Sequence, residues 1–146
     1  LPMKILILNG PNLNQLGKRD PDTYGTSALG EIQNKVAGEF PDFQFEWFQS
    51  NHEGELIDRI QQAEEDGYEA LIGNWGGFTH TSVAIRDALD TVEIPKVEIH
   101  LSNIHAREEF RERSITGEVM DGIITGFGHE SYILGVHAAI LTHNKT

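Results

Sequence analysis

The sequence predicts an α/β fold, a five-stranded parallel sheet covered by helices on both faces. Two observations carry that expectation. Short apolar runs alternate with longer amphipathic ones about five times along the chain, which is the pattern of repeated β-α units. The 146 residues, 38% of them apolar, suit one domain with a substantial core, so residues 1–146 read as a single unit.

Lys4–Leu8 is a compact β-type run stopped by Asn9-Gly10-Pro11-Asn12, a strong breaker cluster. Ser27–Glu39 has helical spacing, with Ser27 as N-cap and Ala28, Leu29, Ile32, Val36 and Phe40 on one face. Phe43–Gln49 is aromatic and alternating, hence a strand. Glu53–Glu65 repeats the helical pattern through Leu56, Ile57, Ile60 and Ala63. Ala70–Asn74 is a third strand, and Thr81–Thr91 a third helix with Thr81 at its N-cap. Pro95 precedes a fourth strand, Lys96–His100, and Ala106–Glu112 has the length of a short helix. Gly122–Thr125 is the fifth strand, and Ser131–Thr142 closes the chain as a helix. The connection 9–26 exceeds by far the roughly two to six residues usual for such loops. With Lys18, Arg19 and Tyr24 set between Gly17 and Gly25, residues 17–25 read as a lid.

Composition narrows the function. Lys and Arg number 11 against 23 Asp and Glu, a formal charge of −12, so a broad nucleic-acid or anionic-membrane surface is not expected. There is no cysteine, which excludes disulfides, thiolate chemistry and cysteine-held zinc or iron–sulfur centres. No run reaches the roughly 18 apolar residues that span a bilayer, and the apolar start is too short for a signal-peptide core. Met3-Lys4 resembles a natural beginning, and the expectation is a soluble, cytoplasmic protein.

Ligands of open parallel sheets bind outside the carboxyl ends of the strands. Three such ends carry polar groups here: Asn9–Asn14, Asn74–Ser82 and Glu98–His105. Glu98 and His100 are two residues apart on one strand and share a face. A carboxylate there would fix the ring's tautomer and favour its protonated form, giving a histidine suited to donating a proton. Gly76 and Gly77, ahead of the third helix, would open backbone N–H groups to a carboxylate- or phosphate-sized anion. His80 in the same stretch would contact a ligand hydroxyl or face solvent.

Other signals are weaker. Gly126-Phe127-Gly128 echoes a dinucleotide loop, but too few residues follow it for an acidic ribose contact, so it reads as a tight strand-to-helix turn. The seven histidines show no metal-ligand spacing, and no metal is expected. Arg107, Arg111 and Arg113 form either a basic spot or a helix ion-paired with Glu108, Glu109 and Glu112. Ser82 and Ser102 lack a nucleophile elbow.

Asn9-Gly10-Pro11-Asn12-Leu13-Asn14, then Gly17-Lys18-Arg19-Asp20-Pro21 and Tyr24-Gly25, resemble the opening of the type II dehydroquinases, the type II 3-dehydroquinate dehydratases. Thr79–Leu89 and Glu98–Asn103 resemble the family's second and third signatures, in the same order and spacing over essentially the whole chain. The resemblance implies dehydration of 3-dehydroquinate to 3-dehydroshikimate through an enolate in the shikimate route, with neither metal nor organic cofactor. It implies Tyr24 as base, Arg19 as the cation that helps Tyr24 ionise, and Asn12 as holder of a water or the enolate oxygen. His100, oriented by Glu98, would protonate the leaving hydroxyl. Asn74, Gly76, His80, Leu101, Ser102 and Arg111 would hold the substrate, its carboxylate on the backbone amides of Leu101 and Ser102, with Arg107 in support near the lid. Asp87 would reach a neighbouring subunit's site in a homododecamer built from trimers.

One departure stands out. After the strand-three Asn the family usually reads Pro-Gly-Ala, and this chain has Trp75-Gly76-Gly77. Trp75 removes proline's fixed backbone angle and is expected to place a large indole at the pocket rim. The rival reading is a non-catalytic, flavodoxin-like module of the same three-layer sandwich that binds a small anion. A receiver of that kind would want clustered aspartates after strand one, and a flavin module a hydroxyl-rich loop; this chain has Asn, Gly and Pro.

Overall fold

A computed structural model of the chain describes residues 2–18 and 28–145. Five parallel strands form one sheet: β1 (Lys4–Asn9), β2 (Gln44–Gln49), β3 (Ala70–Asn74), β4 (Lys96–His100) and β5 (Gly122–Thr125). Among the described residues four α-helices accompany them: α1 (Leu29–Glu39), α2 (Glu53–Gln62), α3 (Val83–Asp90) and α4 (Glu130–His143). The strand order β2-β1-β3-β4-β5 is the flavodoxin-like one, and its direction reverses between β1 and β3. Every pair is parallel, with Asn9 opposite Asn74 across that switch point.

Alternation along the strands sorts the core into two layers. Ile5 and Ile7 of β1, Ile72 of β3 and Val97 and Ile99 of β4 pack under Ile32 and Val36 of α1 and Tyr132, Val136 and Ala139 of α4. Leu6, Leu8 and Leu71 face the opposite way, under Leu56 and Ile60 of α2 and Ile85, Ala88 and Leu89 of α3. The central strands β3 and β4 are buried along their whole length, as strands covered on both faces must be.

All five strands stand where the sequence places them, within a residue. The differences lie at helix ends and in irregular stretches. Ala28 occupies the N-cap position of α1 with no side-chain bond, while Ser27 lies outside the described residues. Thr81 is not the cap of α3. Residues Gly76–His80 wind into a 3-10 turn, which delays the helix until Val83, and Ser82 caps it by accepting from the Ile85 N–H at 2.9 Å. The helix expected over Ala106–Glu112 is instead two short 3-10 turns, Ile104–Ala106 and Glu109–Arg111. Helix α2 stops at Gln62 rather than Glu65, and α4 runs one residue further than expected at each end. The turn at Gly126 and Gly128 is as expected, both glycines having positive φ, 101° and 62°, where a side chain would be strained.

Trp75 is the clearest correction. Its indole is not at a rim; it is fully buried in the layer beneath α2 and α3. Gly73, two residues earlier, makes the room: a Cβ there would stand 2.1 Å from the indole Cζ2. Trp75 adopts φ −81°, ψ −3°, turning the chain so that the ring folds back over β3. The Trp75 backbone in turn crosses so near Gly10 that a Cβ at that position would lie 2.3 Å from its carbonyl oxygen.

Candidate functional site

The carboxyl ends of β1, β3 and β4 open onto one cleft at the switch point. It holds about 620 Å³ of empty space, part of it open to solvent, and is lined by loop residues from all three ends. From the β1 loop come Pro11, Asn12 and Leu13; from β3, Asn74, Gly76, Gly77 and His80; from β4, His100, Leu101, Ser102 and Ile104. Arg107 and Arg111 close the far side.

The β1 loop is fixed from the sheet edge. Asn12 takes φ +70°, its N–H donates to Asn51 Oδ1 at 2.9 Å, and Gln49 Nε2 donates to the Gly10 carbonyl at 3.1 Å. Asparagine is one of the few residues that tolerates that left-handed conformation cheaply. Beneath the loop lies a buried polar triad. The Tyr132 hydroxyl donates to Asn9 Oδ1 and accepts from Asn74 Nδ2 at 3.2 Å, joining α4 to the ends of β1 and β3. Burial pushes the Tyr132 phenol well above the ordinary tyrosine range, with the Asn74 hydrogen bond pulling the other way, so it is a neutral strut. Asn74 Oδ1 in turn meets the Gly76 N–H at 3.4 Å.

Glu98 and His100 pair as their spacing predicts. His100 Nε2 donates to Glu98 Oε2 at 2.9 Å, and both groups are buried, Glu98 completely. With Nε2 committed, His100 has Nδ1 left for the cleft that the ring lines, where the protonated ring can donate. Glu98 lies behind His100 and does not line the cleft.

His80 is held in the opposite tautomer. Its Nδ1 donates to the Arg113 carbonyl at 2.8 Å, which leaves Nε2 as an acceptor when the ring is neutral. Partial burial lowers its basicity below the ordinary histidine value, against the Arg113 carbonyl, which favours the charged ring; His100 and Arg111 add to the lowering. The cleft therefore holds two ring nitrogens that accept while the rings are neutral, and His100 Nδ1 donates once that ring is protonated.

The arginines combine both roles considered from sequence. Arg111 Nε reaches Glu108 Oε2 at 3.2 Å and Arg107 Nη1 donates to Ser102 Oγ at 3.4 Å, yet both line the cleft. The Glu108 carboxyl is held below the usual carboxylate range by its own backbone N–H and by Arg111. Gly76 and Gly77 line the cleft, but the start of α3 does not. Ser82 caps that helix and also donates to Glu53 Oε2, so the helix end is spent on its own capping rather than on an anion.

Of the residues singled out in sequence, Asn12, Asn74, Gly76, His80, His100, Leu101, Ser102 and Arg111 converge on the cleft, with Glu98 directly behind. Asp87 does not: it is exposed on α3 beside Arg86, 3.5 Å away. Arg19 and Tyr24 lie outside the described residues. Sequence reasoning missed Tyr132, Ser114 and Thr116, each tied to the site by contacts far apart along the chain. Among the described residues no three His, Cys, Asp or Glu side chains gather as a metal would need, and no helix is long and apolar enough to cross a membrane.

A flavodoxin-like parallel sheet with a polar, two-histidine cleft at its switch point defines an α/β protein built to take a small, oxygen-rich ligand. The match to the family described as "Dehydroquinase class II" runs over residues 3–140, and the chain belongs to that family. It is 49% identical over 139 residues to the 3-dehydroquinate dehydratase of Pelodictyon phaeoclathratiforme, covering 94% of this chain and 92% of that one. Identity to the Polynucleobacter asymbioticus 3-dehydroquinate dehydratase is 54% over 139 residues, 93% of each chain. The crystal structure of the type II dehydroquinase from Butyrivibrio crossotus superposes with a TM-score of 0.92 at 43% identity, covering 95% of this chain and 98% of that one.

Proposed function

We propose that the protein is a hydro-lyase that eliminates water from 3-dehydroquinate to give 3-dehydroshikimate, a step of the shikimate route. The observation that carries this reading is the buried Glu98–His100 pair opening onto the switch-point cleft in a chain of this family.

The chemistry divides the work. A C–H bond beside the ketone breaks, its electrons form an enolate, and the re-forming carbonyl expels a hydroxyl that leaves as water. Tyr24 takes the proton, helped to ionise by Arg19 on the same lid segment, about 17–25. Asn12, on its left-handed turn, holds a water or the enolate oxygen. His100 acts as the imidazolium, protonated on both ring nitrogens: Glu98 holds the Nε2–H, and the Nδ1 proton passes to the departing hydroxyl, leaving the neutral ring. Asn74, Gly76 and His80 hold substrate hydroxyls, with the acceptor Nε2 of His80 suited to that task. The carboxylate meets the Leu101 and Ser102 backbone, with Arg111 and Arg107 nearby. Those two guanidiniums explain how a chain of net charge −12 attracts an anion: the attraction is local. No metal or organic cofactor enters these steps.

Asp87 would serve the site of an adjacent subunit in a cytoplasmic dodecamer built from trimers; its exposed place on α3, outside its own cleft, is what supports this. The test of the site is a pair of variants. Tyr24→Phe should collapse turnover while folding and substrate binding persist, and His100→Ala should abolish it. An unchanged rate in Tyr24→Phe would reject the base, and a full rate in His100→Ala would reject the acid.

A further inference from the structure

Glu98 has no contact with solvent, yet it accepts more than the His100 hydrogen bond. The Ser114 hydroxyl donates to the same oxygen, Oε2, at 2.7 Å, and the fully buried Thr116 hydroxyl donates to Oε1. Donor directions follow from the neighbours. Ser114 Oγ already accepts from the Gly117 N–H at 2.8 Å, so its own hydrogen is free for Glu98. A carboxylate met by three donors, two on Oε2 and one on Oε1, acts as an acceptor throughout, and a buried carboxylate requires such partners.

We propose that Ser114 and Thr116 are positioning residues of the reaction. Their hydroxyls clamp the Glu98 carboxylate in the one orientation that holds the His100 Nε2–H and aims Nδ1 into the cleft. The inference rests on His100 as the proposed acid and adds what holds its partner in place. Both hydroxyls belong to the stretch that follows Arg111, and the same stretch fixes the second histidine. The Arg113 carbonyl accepts from His80, and the Ile115 N–H donates to the Thr79 carbonyl at 2.8 Å. Residues 111–116 thus brace both rings of the site from one loop. Losing one hydroxyl removes one of the two braces on Glu98 and frees the carboxylate to rotate about its side chain.

The test compares Thr116→Val, Ser114→Ala and the conservative Thr116→Ser with the wild-type chain. The first readout needs no substrate: the proton between His100 Nε2 and Glu98 should give a strongly downfield proton NMR resonance, assigned by its loss in His100→Ala. It should persist in Thr116→Ser and be lost or moved upfield in Thr116→Val and Ser114→Ala. The second readout is steady-state kinetics with 3-dehydroquinate. For Thr116→Val a fall in kcat of about ten- to a hundredfold, the value of one hydrogen bond to a charged group, is expected, with KM changed less than about threefold. Thr116→Ser should recover most of the rate. A retained resonance together with a wild-type kcat in both Thr116→Val and Ser114→Ala would overturn the proposal. So would a loss in Thr116→Val that Thr116→Ser fails to restore. If Ser114→Ala does not fold, the two Thr116 variants decide the matter. If the wild-type chain does not turn over 3-dehydroquinate, the proposed reaction fails while the resonance still tests the clamp.

Discussion

The Gly73–Trp75 pair makes a quantitative prediction about why this chain tolerates tryptophan beside its substrate cleft. A methyl group at position 73 would stand 2.1, 2.4 and 2.7 Å from three indole atoms, Cζ2, Cε2 and Cη2. Carbon atoms pack at about 3.5–4.0 Å, so the ring would have to retreat by more than 1 Å into a closed layer. Overpacking of this kind costs about 1–3 kcal/mol, and the depth of this overlap puts Gly73→Ala at the upper end, about 3 kcal/mol. Trp75→Ala alone should cost about 3–5 kcal/mol through the cavity it leaves. In the double variant the new methyl falls into that cavity, so Gly73→Ala should cost almost nothing there, a coupling of about 3 kcal/mol. Urea unfolding followed by circular dichroism at one protein concentration measures all four corners. Equal costs of Gly73→Ala in both backgrounds would refute the reasoning and return the indole to another place.

The other predictions follow from individual contacts. Tyr132→Phe should destabilise by about 2–4 kcal/mol, because it strands the buried Asn9 and Asn74 amides, and urea unfolding checks it. Because the folded phenol is raised above its ordinary value of 10.0, its contribution is intact below pH 10 and declines above it, by up to about 1.4 kcal/mol per pH unit; Tyr132→Phe should lose that alkaline dependence. The sign is opposite for His80. Its folded basicity is lowered, so the unfolded chain binds the proton first and stability should fall as pH drops below 6.5, a slope that His80→Gln should reduce. Nitrogen NMR should find the neutral His80 ring protonated at Nδ1, the form the Arg113 carbonyl selects. Ser82→Ala should cost about 1–2 kcal/mol by uncapping α3, with little effect on turnover.

Much of the site is legible in the sequence because strand ends are. Asn74 and His100 close predicted strands, Glu98 stands two residues before His100, and a two-residue spacing on a strand fixes a shared face whatever surrounds it. The five strands are legible for the same reason. The starts of helices are less so where hydroxyls cluster. Thr81 and Ser82 are both good caps, and only the 3-10 turn over Gly76–His80 decides between them. The Trp75 indole could not be aimed from sequence, since its direction depends on the backbone angle at that residue and on the absence of a side chain at Gly73. Tyr132, Ser114 and Thr116 belong to the site through partners 58, 16 and 18 residues away, and no periodicity carries such contacts.

The most direct measurement is ultraviolet absorbance after the purified protein is mixed with 3-dehydroquinate in the presence of a chelator. The product carries a conjugated double bond that the substrate lacks, so turnover is seen as it occurs. The account predicts a steady rise that the chelator does not slow and that His100→Ala eliminates. A flat trace from folded protein, or a rise that the chelator abolishes, would contradict it.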